Sequence, residues 1–139
     1  MEIIQLERSG QPPLRFRGEL LATANGQFVG TPPDKPNVDW FELSIYQPES
    51  GGFLIAVTYR RNLRGTQDER RIVEASPNAI AWLQDYRDRR DWLTMVIGFP
   101  PGLEEKQRRL EDSLTRQFDQ LISAVLKDFP QDLTQGVQP

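Results

Sequence analysis

The chain has 139 residues, 37% of them apolar and 27% charged, and a formal net charge of −3, which suits one globular domain with enough apolar material for a core. It contains no cysteine and no histidine. That excludes disulfides, thiolate and imidazole metal ligands, and every nucleophile that relies on an imidazole base. Charge is spread evenly, with 9 basic and 10 acidic residues through Ala75 and 8 and 10 beyond it, so any attraction to nucleic acid has to be local.

The start, Met1 to Glu7, carries acids where a signal peptide needs bases, and no apolar run approaches membrane-spanning length. The expectation is a cytoplasmic protein with no membrane association. Ile3 to Glu7 reads as a short strand, closed by Gly10, Pro12 and Pro13.

Residues 14 to 24 alternate, with Leu14, Phe16, Leu20 and Ala22 on one side and Arg15, Arg17, Glu19 and Thr23 on the other. This is the period of a half-buried strand. A long connection follows from Asn25 to Val38, rich in glycine and proline, in which Phe28 and Val29 are placed to anchor a flap over the sheet edge.

Alternation resumes at 39 to 47, where Phe41, Leu43 and Ile45 oppose Trp40, Glu42, Ser44 and Tyr46. It continues at 53 to 61, where Phe53, Ile55, Val57 and Tyr59 point inward. The intervening Gln47 to Gly52 has the length and composition of a hairpin link. Asn62 to Thr66 is a second tight turn, leading to a mixed-charge strand from Gln67 to Ala75 that suits an edge.

Ser76-Pro77 reads as the cap and first position of a helix whose stripe is Ala79, Ile80, Leu83 and Tyr86. Asp91 to Phe99 fits either helix or buried strand, and the spacing of Trp92, Met95, Val96 and Phe99 leans to helix. After Pro100-Pro101-Gly102, residues 103 to 129 carry the clearest helical pattern in the chain, ended by Pro130. Residues 130 to 139 read as a polar tail.

The reading is therefore a single α+β domain over 1–139. Its antiparallel meander has four strands over about 14–75, with the short segment at 3–7 as a candidate fifth, packed against C-terminal helices over about 76–129.

Four surfaces are candidates for function. Arg15, Arg17, Trp40, Tyr46 and Arg60 would cluster on the polar sheet face, where rings and guanidinium groups could stack and pair single-stranded nucleic acid, although Glu19 and Glu42 share that face. The arginine-rich turn from Arg60 to Gly65, with Arg70 and Arg71, could hold an anion unless Asp68 and Glu69 neutralise it. The 25–38 connection could be a lid.

Finally, the C-terminal helix at about 40 Å is longer than so small a domain is wide. Its stripe of Leu110, Leu114, Phe118, Leu121 and Val125 would then serve a homodimer or a protein partner. Asp39, Glu42 and Arg60 could in principle hold Mg²⁺, but no catalytic pattern surrounds them, and Asp85, Asp88 and Asp91 beside Arg87, Arg89 and Arg90 read as local ion pairs. The leading expectation is a non-enzymatic interaction or assembly module that self-associates through the C-terminal helix and needs no cofactor. A local nucleic-acid binder is second, and a carboxylate and metal-dependent enzyme third.

Overall fold

The computed structural model describes residues 1–32 and 34–129. Five antiparallel strands form one sheet in sequential order: β1 (Glu2–Arg8), β2 (Gln11–Asn25), β3 (Asp39–Pro48), β4 (Phe53–Leu63) and β5 (Thr66–Ser76). Two helices follow, α1 (Ala79–Asp88) and α2 (Glu104–Asp128), separated by a short 3₁₀ turn at Asp91–Met95. The short N-terminal segment is thus a full strand of the meander. The polar-tail expectation for 130–139 falls outside the described residues.

Each connection follows from local chemistry. The β4–β5 turn places Arg64 and Gly65 at φ 52° and 81°, with Leu63 opposite Thr66, the paired left-handed geometry whose twist matches a two-residue hairpin. Helix α1 starts two residues later than Ser76-Pro77 suggested. Asn78 is the cap, its side chain accepting from Ala81 N at 3.0 Å, while Ser76 Oγ bonds the Asn78 backbone and fixes the approach. The 91–99 segment is neither a continuous helix nor a strand: the 3₁₀ turn buries Trp92 and Met95 and then opens into extended chain at Val96.

One sheet face carries the core. Phe41, Leu43, Ile45, Ile55, Val57 and Tyr59 are fully buried there against Leu114, Phe118, Leu121 and Val125 of α2 and Leu83 of α1. Phe41 centres an aromatic cluster, with Tyr59, Trp92 and Phe118 rings all within 5.8 Å of it. Burial of these rings and aliphatic chains is the main stabilising term, since each large side chain taken out of water contributes about 1.5–3 kcal/mol.

The other face is covered by the chain itself, because β2 does not alternate continuously. A bulge between Leu20 and Ala22 sets Leu20 opposite Tyr46 but Ala22 opposite Ile45. Residues directly opposite share a face, so Leu14, Phe16 and Leu20 lie with Tyr46, while Ala22 and Ala24 lie with Ile45 and Leu43 on the helix side. The expected grouping of Ala22 with Leu14, Phe16 and Leu20 is therefore corrected.

Beyond Gly18, the partner of Pro48, β2 pairs only with β1. That hairpin turns back over the inner face of β3 to β5. Its tip reaches β5, where Ser9 N donates to Arg71 O at 3.0 Å and Arg71 N to Ser9 Oγ at 2.8 Å. Leu6 is buried beneath it. The result is a sheet curled towards a barrel, with helices outside and a hairpin folded across its inner face.

Candidate functional site

The five residues expected on one polar face are divided by the bulge. Arg15 and Arg17 are paired with Gln5 and Ile3 on the outer side of the hairpin and are exposed. Trp40, Tyr46 and Arg60 remain on the inner side, but their chemistry is already engaged. The Tyr46 ring meets Phe16 edge-on at 5.8 Å, and Trp40 is 7% exposed. Arg60 is held by Glu42 and, at 3.0 Å, by Glu69.

Glu69 also accepts from Arg71 at 3.3 Å, and Arg71 Nε donates to Thr58 Oγ1 at 2.9 Å. Two arginines and two carboxylates thus neutralise one another across β3, β4 and β5. This network borders a recess of about 290 Å³ that includes Gln27, Asn62 and Gln67. The buried Trp40 Nε1 finds no acceptor among the described residues.

The arginine turn is likewise accounted for internally. Arg61 Nε donates to Asp39 at 2.7 Å on the opposite face, Arg70 donates to Met95 O at 2.9 Å, and Asp68 stands opposite Arg61. Among the described residues Arg64, at the tip, has neither an ion pair nor a side-chain hydrogen bond, and Arg70 has its bond to Met95 O but no ion pair. The acids of α1 and the turn after it form local pairs: Arg89 bonds Asp85 and Asp91, and Arg87 bonds Asp88.

Asp39 and Glu42 do not converge. Three residues apart on a strand they face opposite ways, and Asp39 is 8% exposed and turned into the core side. There Tyr59 donates its hydroxyl hydrogen to Asp39, and Ile97 N donates to the Tyr59 oxygen at 3.3 Å. Burial first, then the bond and charge of Asp39, push the Tyr59 hydroxyl well above the ordinary tyrosine value of 10.0. For Arg61, burial opposes the charged form but the Asp39 carboxylate outweighs it and raises the value. The cluster ties the 96–99 segment to the sheet, and the Arg61 guanidinium lies 5.9 Å over Phe99.

The expected interface on α2 is occupied by the chain's own sheet. Leu114, Phe118, Leu121 and Val125 are at most 1% exposed, and Leu110 packs against the same core. The first two turns of the helix, Glu104 to Arg109, are charged or polar, and Gln107 accepts from Phe99 N at 2.8 Å. The 25–38 connection is ordered by Asn37, whose amide donates to Gly26 O at 2.8 Å and Val29 O at 3.0 Å. Val29 packs on the core while Phe28 points outward, 52% exposed.

What remains unengaged is an apolar cleft at the β3–β4 end of the curled sheet. Leu14 and Phe16 of the hairpin form one wall, Leu54 and Ala75 the other, and the Gly51–Gly52 turn with Phe53 forms the rim, around a volume of about 460 Å³. The backbone of β5 lines it as a free edge. Because Arg71 directs both its N–H and C=O away from β4 to Ser9, Val73 and Ala75 direct theirs the same way, and no backbone partner meets them among the described residues. The pattern of residues 14–24 carried the apolar wall, but the bulge that aims it was not visible in the alternation.

No family model matches the chain, and neither a curated protein nor a solved structure matches it.

Proposed function

We propose that the protein is a non-catalytic interaction module that grips an extended apolar segment of a protein partner in the cleft between the β1–β2 hairpin and β5. The observation that carries this reading is the coincidence of apolar walls with a strand edge: Leu14, Phe16 and Leu54 beside the backbone of Val73 and Ala75, which no backbone group meets among the described residues. An extended peptide added there would gain main-chain hydrogen bonds from the edge and seat alternate side chains in the cleft. The inner-face charges support the same view, since Arg60, Arg71, Glu42 and Glu69 satisfy one another. Assembly then uses the cleft rather than α2, whose apolar stripe is spent on the core.

The test is nuclear magnetic resonance titration with a blocked hexapeptide alternating leucine and serine. The reading expects shifts confined to the Val73 and Ala75 amides and the Leu14 and Leu54 methyls, abolished by Ala75→Arg, which fills the cleft from an exposed position. The absence of shifts at millimolar peptide, or shifts that survive Ala75→Arg, removes it.

A further inference from the structure

The inner face of the curled sheet has a second opening, on the far side of the hairpin tip from the apolar cleft. Ser9 closes on Arg71, and the next two rows of the sheet lie beyond it. Trp40, Arg60 and Glu69 are opposite one another in turn across β3, β4 and β5, and Asn62 and Gln67 form the following row. Residues directly opposite, and residues two apart on a strand, share a face. These five side chains therefore stand on one side of the sheet, and with Gln27 of the 25–38 connection they line the recess of about 290 Å³. Trp40 is its floor: it is 7% exposed, and its buried Nε1 has no acceptor among the described residues. A buried donor in that state is a standing cost to the fold, which an entering acceptor removes.

We infer that this recess binds a neutral polyol of monosaccharide size. Its charges are spent on one another, Arg60 on Glu42 and Glu69, and Glu69 also on Arg71, so neither sign is in excess to attract an ion. What it offers instead is neutral. Gln27, Asn62 and Gln67 are bonded through their backbones alone among the described residues, with their side-chain amides unengaged. Each amide presents a donor and an acceptor in one plane, and vicinal sugar hydroxyls present the complementary pair, since a hydroxyl both donates and accepts. The Trp40 indole N–H takes a hydroxyl oxygen at the floor. A nucleobase also carries donors and acceptors, but it binds by laying its face on an aromatic or guanidinium plane, and the one ring lining the recess among the described residues, Trp40, is buried. The volume lies at the lower limit of small-molecule pockets, which suits a single sugar ring. The site is separate from the apolar cleft and does not depend on what the cleft holds.

The test titrates the full, isotopically labelled chain with D-glucose, D-galactose and D-mannose in turn and follows the tryptophan indole and side-chain amide resonances. The chain has three tryptophans, so Trp82 and Trp92 are internal controls and Trp40→Phe assigns the remaining indole. The expected result, with at least one sugar, is a saturable downfield shift of the Trp40 indole proton as it gains an acceptor. The Gln27, Asn62 and Gln67 amides should shift with it, and the Trp82 and Trp92 indoles should not. Asn62→Ala combined with Gln67→Ala, both at exposed positions, should weaken binding roughly tenfold through the loss of two neutral hydrogen bonds. Ala75→Arg, in the cleft, should leave the response unchanged. The inference is overturned by the absence of a saturable shift with all three sugars at high millimolar concentration, by a response that keeps its full affinity in the double alanine variant, or by one that Ala75→Arg abolishes. Uracil and inorganic phosphate complete the titration: tighter binding of either than of every sugar assigns the recess to a base or an anion and overturns the polyol.

Discussion

Gln117 Oε1 accepts from Phe41 N at 2.7 Å, in the middle of the apolar stripe of α2. The bond spans 76 residues of sequence and joins helix to sheet where Phe41 also accepts from Gly26 N. Gln117 is 3% exposed, and a Cβ on Gly26 would come within 2.3 Å of that same oxygen. Gln117→Leu keeps the volume but strands the Phe41 amide in the core, at a cost of about 1–3 kcal/mol. Urea denaturation should show that loss as a lower midpoint with an unchanged slope. Gly26→Ala, which displaces the Gln117 side chain, should be destabilising for the same reason.

The Asp39–Arg61 pair is the most buried ion pair of the fold, with side chains 7% and 12% exposed. Truncating one member leaves the other uncompensated, so Asp39→Ala should cost about 3–5 kcal/mol. Replacing both, as Asp39→Ala with Arg61→Met, should recover a large part of that loss, since paired apolar substitutes often equal a buried ion pair. A double-mutant cycle from chemical denaturation measures the difference. Equal losses in the single and double variants would mean that the Tyr59 bond to Asp39, not the ion pair, is what Asp39 supplies.

Alkaline stability follows from two tyrosines. Burial, reinforced by Asp39 for Tyr59 and by Asp91 and Glu74 for Tyr86, raises both above the ordinary value of 10.0. The folded state therefore keeps protons that the unfolded chain releases. The sign is that of a raised folded value: the contribution is fully present below pH 10 and is lost as pH rises above it, at about 1.4 kcal/mol per pH unit for each tyrosine. Tyrosinate absorbance from these two side chains should appear only with the loss of near-ultraviolet circular dichroism. A tyrosinate signal for Tyr59 in a chain that is still folded would contradict the burial argument.

These cases show which parts of the structure the sequence carries. Strands with strict period two, 39–47 and 53–61, appear as β3 and β4 with the expected inward residues, because hydrophobic alternation is set by a sheet with one buried face. The α2 stripe is equally legible, whereas the burial of Gln117 within it is seen only in the structure. What alternation does not record is an extra residue in one strand. The bulge at Leu20–Ala22 flips every position N-terminal to it, so the apparent Arg15, Arg17, Trp40, Tyr46 and Arg60 face is divided and an apolar cleft stands in its place. Partner choice among Arg60, Glu42, Glu69 and Arg71 depends on cross-strand register, which long-range pairing decides.

Gly18 offers a direct probe of that bend. A Cβ there would lie 2.5 Å from Gln47 O and 2.9 Å from Pro48 Cα, both backbone atoms that cannot yield as a flexible side chain would. Gly18→Ala should therefore force β2 away from β3 at the point where the hairpin turns back. Hydrogen exchange should speed up selectively at Ile4, Leu6, Leu14 and Phe16, and at Arg71, whose amide is held by Ser9 at the hairpin tip. Helix α2 should keep its protection, because its contacts lie on the other face.

The buried state of the α2 stripe separates two roles for the same residues. If Leu114 and Phe118 served a partner, truncation would change association and spare the fold. They are 1% and 0% exposed, with Phe118 ringed by Phe41, Tyr86 and Trp92, so Leu114→Ala should cost about 2–5 kcal/mol and Phe118→Ala about 3–5 kcal/mol of folding stability. Sedimentation equilibrium of either variant, under conditions where it remains folded, should give the same molar mass as the parent. Ala75→Arg should show the converse, leaving the thermal midpoint within a few degrees of the parent because Ala75 is exposed, while removing whatever association the cleft supports. A change of molar mass in Phe118→Ala with the fold intact would return the interface to α2.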